Sequence, residues 1–140
     1  MPRLNPWFVT GVCQRSASFT YSFSGNHTTL YFSLKFDLAD KSLAQKIKKF
    51  FKAGRLYYVR PNYVYYRVSK LDQLINRIIK HFDSYPLSGK TQKIYQIWKK
   101  MALLKKKNFK KIEFRWKPDE LQEFKKLVKQ LSKLSTRQVK

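Results

Sequence analysis

Carboxylates hold hard divalent cations and do much general acid–base work, and this chain has only 8 of them. They are Asp37, Asp40, Asp72, Asp83, Glu113, Asp119, Glu120 and Glu123. Asp40 reads as a helix cap, and Asp72, Asp119 and Glu120 as first-turn charges that suit a helix N-terminus. The single cysteine, Cys13, has no base spaced to activate it and reads as a packed helix residue. It excludes an internal disulfide and points to a reducing, intracellular compartment. His27 falls in a turn and His81 in a helix; both read as ordinary surface residues, and with one cysteine they make no zinc-finger spacing. These residues imply no metal site and no cofactor. What the chain does carry is positive charge: 31 Lys and Arg, for a formal net charge of +23. Solubility alone needs a net charge of only about 2–8. With 43% hydrophobic residues the chain can bury a core, so the charge sits on a folded surface, as in a polyanion binder. Nucleic acid is the expected partner. A membrane is not, because no stretch approaches the ~20 apolar residues of a span, and Met1-Pro2-Arg3-Leu4-Asn5-Pro6 lacks the apolar core of a leader peptide.

The elements that would position these groups follow from periodicity. Asn5-Pro6 starts a short apolar helix with Asn as the N-cap. From Ser18 the pattern alternates: Ser18, Thr20, Ser22 and Ser24 on one side, Phe19, Tyr21 and Phe23 on the other, a half-buried antiparallel strand. Gly25-Asn26 turns into a second strand, about 28–36, with Leu30, Phe32, Leu34 and Phe36 inward and Tyr31, Ser33 and Lys35 outward. Asp40 caps a helix carrying Leu43, Ile47, Phe50 and Phe51, and Gly54 ends it. Strands 55–60 and 63–68 flank Pro61-Asn62. A helix follows from about Ser69, with Leu71 to Phe82 at helical spacing, until Pro86 breaks it. Further helices are expected over about 91–106 and 118–134. The fold class is α+β in the order αββαββα: four antiparallel strands with helices on one face, plus C-terminal helices. The chain reads as one domain, 1–140, with a core over about 5–107 and a helical extension over about 108–140.

The outward positions Ser18, Thr20, Ser22, Ser24, Tyr31, Ser33, Lys35, Arg55, Tyr57, Tyr63, Tyr65 and Arg67 could share one sheet face. Hydroxyls donate and accept hydrogen bonds, cations pair with phosphate or guanine, and a two-stranded ribbon fits a major groove. Tyrosines also suit stacking on unpaired RNA bases. Lys105-Lys-Lys107, Lys110-Lys111 and the lysines of the last helix either solvate the surface or touch flanking phosphates. Trp116 reads as a packing anchor.

The stretch Asn5-Pro-Trp-Phe-Val-Thr-Gly-Val-Cys-Gln-Arg-Ser-Ala-Ser-Phe19 resembles the signature helix of LAGLIDADG homing endonucleases, W-x-x-G-F-x-D-A-E-G-S-F, which runs straight into the first strand. The resemblance continues through Asp40-Lys-Ser-Leu43, Ile47-Lys-Lys-Phe-Phe51, Gly54, Tyr66-Arg-Val-Ser69, Leu74, Ile79-Lys-His-Phe-Asp-Ser-Tyr-Pro-Leu87 and Trp98-Lys-Lys100. It implies a saddle-shaped sheet over the DNA major groove, contacted by the outward residues above and by Lys90. It implies that two units pack their signature helices together, here a homodimer through Phe8, Gly11, Val12 and Arg15 on a pseudo-palindromic site. It also implies a metal-holding carboxylate at the end of that helix. Ser16 stands there in this chain, Gln14 stands at the earlier acidic position, and Thr91 stands where the family keeps a basic residue. The expectation is therefore a catalytically inactive, sequence-specific DNA-binding protein, a transcriptional regulator or an intron-associated factor, and not an enzyme. An RNA-binding protein, either a group I intron maturase or an organellar ribosomal component, is the alternative, and an active homing endonuclease with unusual ligands is a third. The Lys-rich usage hints at an organelle.

Overall fold

The computed structural model describes residues 4–139; Met1 to Arg3, on which the leader reading rests in part, lie outside the described residues. Helix α1 (Pro6–Ser16) starts as its sequence requires: Asn5 accepts a hydrogen bond from the Trp7 amide at 2.8 Å through its Oδ1, with Pro6 in the first turn. Ala17 is already extended, so the helix passes directly into β1 (Ala17–Ser24). Gly25, at φ +63°, supplies the left-handed turn into β2 (His27–Asp37). A single 3₁₀ turn, Leu38–Asp40, leads to α2 (Lys41–Phe51), then β3 (Arg55–Val59) and β4 (Tyr63–Val68). The four strands form one antiparallel sheet in the order β1-β2-β4-β3.

The helices cover one face of it. Phe19 of β1 meets the rings of Phe82, Tyr95 and Trp98, and Phe32 of β2 meets Phe51, Tyr66 and Phe82. These ring contacts, at 5.1–6.3 Å and mostly edge-on, belong to the buried core that the inward strand positions predict. Phe23 departs from the expectation: at the hairpin tip it lies beyond the reach of the helices and is exposed.

Two expected helix-end roles change. Asp40 sits at the N-cap of α2 but makes no side-chain capping bond. The left-handed residue that ends α2 is Lys52, at φ +56°, rather than Gly54. Gly54 is needed for another reason. A Cβ there would lie 2.6 Å from the Arg67 carbonyl oxygen and 2.7 Å from Val68 Cγ2, so only glycine lets this connection press onto β4.

The helix expected after β4 is present with a wider turn inside it: α3 (Leu71–Gln73), a π-helical stretch Leu74–Ile79, then α4 (Lys80–Ser84). The Tyr95 hydroxyl shares its one proton between the Asp83 carboxylate, at 2.9 Å, and the Ile79 carbonyl, at 3.1 Å, at the end of that stretch. Helix α5 (Gly89–Lys107) starts two residues before the expected Thr91, and α6 (Pro118–Val139) packs on it. Trp116 is the anchor its position suggests, buried edge-on against Phe124 at 5.0 Å.

His81, expected at the surface, is buried among the rings of Phe50, Phe51, Phe82 and Tyr85. Its Nε2 lies 3.0 Å from Thr10 Oγ1, and that hydroxyl donates to the Tyr85 carbonyl at 2.9 Å. A hydroxyl has one proton to give, so Nε2 must carry the proton shared with Thr10. The pair ties α1 to α4.

Candidate nucleic-acid interface and the end of helix α1

Strand register decides which side chains share the open face. Ser18, Thr20, Ser22 and Ser24 stand opposite Ser33, Tyr31, Thr29 and His27. Ser33, Lys35 and Asp37 stand opposite Arg67, Tyr65 and Tyr63, which in turn stand opposite Arg55, Tyr57 and Val59. Every strand residue singled out from the sequence therefore lies on the face away from the helices. Thr29, His27, Asp37 and Val59 join them; the same alternation extended to the ends of the strands identifies these four. Lys90 does not. It is exposed in the first turn of α5, off the sheet.

The face is ordered before any ligand arrives. Arg67 Nε donates to Ser33 Oγ at 3.2 Å, and its guanidinium carbon lies 5.1 Å from the centre of the Tyr31 ring and 5.9 Å from that of Tyr57. One cation from β4 thus holds β2 and β3 side chains on either side of it. Tyr31 in turn receives a hydrogen bond from Ser22 Oγ at 3.0 Å, which brings in β1. Lys35 Nζ sits 4.0 Å over the Tyr63 ring. With Nε–H given to Ser33, the terminal donors of Arg67 remain for a planar, two-acceptor partner such as a guanine edge.

At the end of α1 the structure brings together residues far apart in sequence. Gln14 Nε2 donates to the Ser88 carbonyl at 3.0 Å, and the Ser88 amide donates back to Gln14 Oε1 at 2.9 Å. Thr91 Oγ1 donates to the Gln14 carbonyl at 3.4 Å. The amide side chain thus clamps α1 to the start of α5, and a carboxylate could supply only the accepting half of that clamp. Ser16 faces elsewhere. It lines an open depression of about 610 Å³ together with Gly11, Val12, Arg15, Lys35, Asp37 and Asp40. The chain reversal after β2 carries two carboxylates, Asp37 and Asp40, to the same depression, which nothing in the sequence around α1 indicates. Even so, the end of α1 does not suit a divalent cation by itself. Ser16 is a neutral hydroxyl, the Gln14 oxygen is engaged by Ser88, and Arg15 and Lys35 bring like charge to the same depression.

Phe8, Gly11, Val12 and Arg15 fall on one stripe of α1, with Phe8 and Arg15 exposed and open space above Gly11. Trp7 is also exposed on this helix, its ring edge-on to Tyr85 at 5.2 Å. Cys13 is fully buried, and that burial pushes its thiol far above the ordinary cysteine range, which keeps it protonated and unreactive.

Comparison with known proteins agrees with this geometry. The profile of the LAGLIDADG endonuclease family matches residues 10–102. The chain is 31% identical over 98 residues to "Probable intron-encoded endonuclease 2" of Neurospora crassa, covering 69% of this chain and 22% of that protein. Among solved structures, the meganuclease I-AabMI bound to uncleaved DNA superposes with a TM-score of 0.71 at 30% identity, over 75% of this chain and 38% of that one. I-SmaMI, bound to an uncleaved DNA target with calcium ions, shares the fold at a TM-score of 0.81 and 24% identity, over 94% and 46%. The chain thus spans less than half the length of these relatives. They also overturn the expectation drawn from Gln14 and Ser16, that the protein is not an enzyme: its relatives are endonucleases, and one altered helix end does not remove it from their company. The chain belongs to the LAGLIDADG endonuclease family.

Proposed function

We propose that this chain binds double-stranded DNA with its sheet face in the major groove, as one unit of a two-unit DNA endonuclease whose units pack α1 against α1. The Arg67 network carries this reading. Its cation and hydroxyls are already fixed across the strands, as direct reading of base edges requires. The same observation favours duplex DNA over unpaired RNA on this face: Arg67 and Lys35 already occupy one side of the Tyr31, Tyr57 and Tyr63 rings, which leaves each ring less free to stack on a base. Binding of DNA by the meganuclease relatives supports it further. Two copies of the chain, joined through the Phe8, Gly11, Val12 and Arg15 stripe, would read a pseudo-palindrome of about 20 base pairs. No step of cutting is assigned to Gln14 or Ser16.

Selection of bound duplexes from a random pool at about 150 mM salt tests the reading, since non-specific binding is weak there. Recovery of one pseudo-palindromic site, with its guanine preference relaxed by Arg67→Ala, is the expected result. The selected site is then incubated with the chain and Mg²⁺ to score nicks on each strand. A pool that never converges on a site would end the sequence-specific DNA proposal.

A further inference from the structure

Beyond the residues matched by the family, the connector between α5 and α6 has a chemistry of its own. Asn108 is buried and donates from Nδ2 to the Leu104 carbonyl at 3.0 Å, closing α5. Lys110, at φ +74°, then turns the chain, and the Lys111 amide returns to the Asn108 carbonyl at 3.0 Å. Trp116 pins the far end of the connector in the core. Between these fixed points Phe109 and Phe114 are left 63% and 59% exposed. Large aromatic side chains are ordinarily buried, so two in one short, well-anchored connector call for a ligand or partner. Their surroundings are cationic: Lys110, Lys111, Arg115 and Lys117 stand against Glu113 alone. Arg115 already covers Phe114, with its guanidinium carbon 5.6 Å from the ring centre. Among the described residues, no cation covers Phe109 in this way.

Phe109 borders a depression of about 330 Å³, whose other walls include Lys110, Lys111, His27, Thr29, Lys105 and one carboxylate, Glu113. That volume is at the lower end of small-ligand sites. Lys105 is turned inward, donating to the Thr28 carbonyl, and forms part of the floor. His27 and Thr29 matter for a different reason: by register they stand on the open side of the sheet, while Leu30 and Leu74 belong to the core, so this depression lies at the edge of β2 where the two sides meet.

We propose that this depression is a binding site for an unpaired nucleotide, with its base stacked on Phe109 and its flanking phosphates at Lys110 and Lys111. An exposed ring beside long-armed cations is the arrangement that holds single strands without regard to sequence, because every base has a π-face. A strand leaving the duplex at the β1–β2 hairpin would reach it past His27. An anionic membrane also attracts lysines and phenylalanines, but a flat lipid surface would not explain a depression walled by His27 and Thr29 at the edge of the sheet.

The test is fluorescence anisotropy with three labelled probes: oligo-dT and oligo-U of about 10 nucleotides, and a blunt hairpin duplex. Anionic phosphatidylserine vesicles serve as a fourth. Phe109→Ala is expected to weaken single-strand binding about tenfold and to leave the blunt duplex within about twofold. Replacing Lys110 and Lys111 together with Ala should lower the salt slope for single strands by roughly 1.4. Of oligo-dT and oligo-U, the tighter identifies the natural strand type. Thermal melting controls for folding, and Phe109, being exposed, should not change it. The proposal is overturned if Phe109→Ala weakens all nucleic acid probes equally, if it weakens none, or if it abolishes vesicle binding while leaving the oligonucleotides untouched. Failure of the blunt duplex to bind the wild-type chain would count against the sheet-face reading alone, since the single-strand probes report on the connector separately.

Discussion

The two faces of the sheet use the same kind of side chain for opposite purposes. On the helix side, Phe19 and Phe32 meet other rings, mostly edge-on, and are sealed from water. On the open side, Tyr31, Tyr57 and Tyr63 meet cations, keep part of their rings in solvent and leave charge at the surface. Neighbouring residues on one strand serve different faces, so parity rather than residue type sets the job. A slip of one residue in register would exchange core and reading surface outright, and burial of the ring side is what forbids it.

That division can be broken most severely from the inside. Phe32→Ala should cost about 3–5 kcal/mol, read by urea unfolding, because it empties the place where four other rings meet. Arg67→Ala should leave the unfolding midpoint nearly unchanged and instead remove about 1–3 kcal/mol of discrimination at one base pair, measured by competition between sites. If it unfolds the chain as Phe32→Ala does, the open face is a second core and the distinction fails. Gln14→Ala should cost about 1 kcal/mol in the same unfolding experiment through loss of the α1–α5 clamp. Gln14→Glu should lose less, because it can still accept from the Ser88 amide. The smallest effect is expected from Tyr31→Phe. It deletes the hydrogen bond from Ser22 and keeps the ring under Arg67, so melting should register no more than about 0.5 kcal/mol.

The strands are legible in the sequence because sustained alternation of apolar and polar residues fits the pleat of a strand and no helical period, and that alternation also places the open-face residues together. Contacts made over long sequence separations are not legible. The meeting of Gln14 with Ser88, and of Thr10 with His81, leaves no local signature in either segment, so a histidine on a helix reads as surface. Gly54 stands out for the right reason, glycine at a helix end, but its task is different, because the pressure on it comes from β4. Asp40 reads as a capping residue and Asp37 carries no assigned role, with nothing local to show that the turn after β2 brings both to the depression beside Ser16. The largest correction is chemical. Two neutral residues at one helix end do not decide the activity of the whole protein, and the relatives are endonucleases more than twice as long as this chain.

Gly11 offers a way to tell two kinds of damage apart. A methyl group placed there meets nothing within 4 Å of its own chain and is not strained by a left-handed backbone. The isolated unit should gain slightly from the better helix former, because alanine leaves the unfolded chain fewer conformations to lose. Anything that Gly11→Ala takes away must then be taken from a molecule pressed against α1. The position acts as a silent gauge: indifferent to how the chain folds, responsive only to what it folds against.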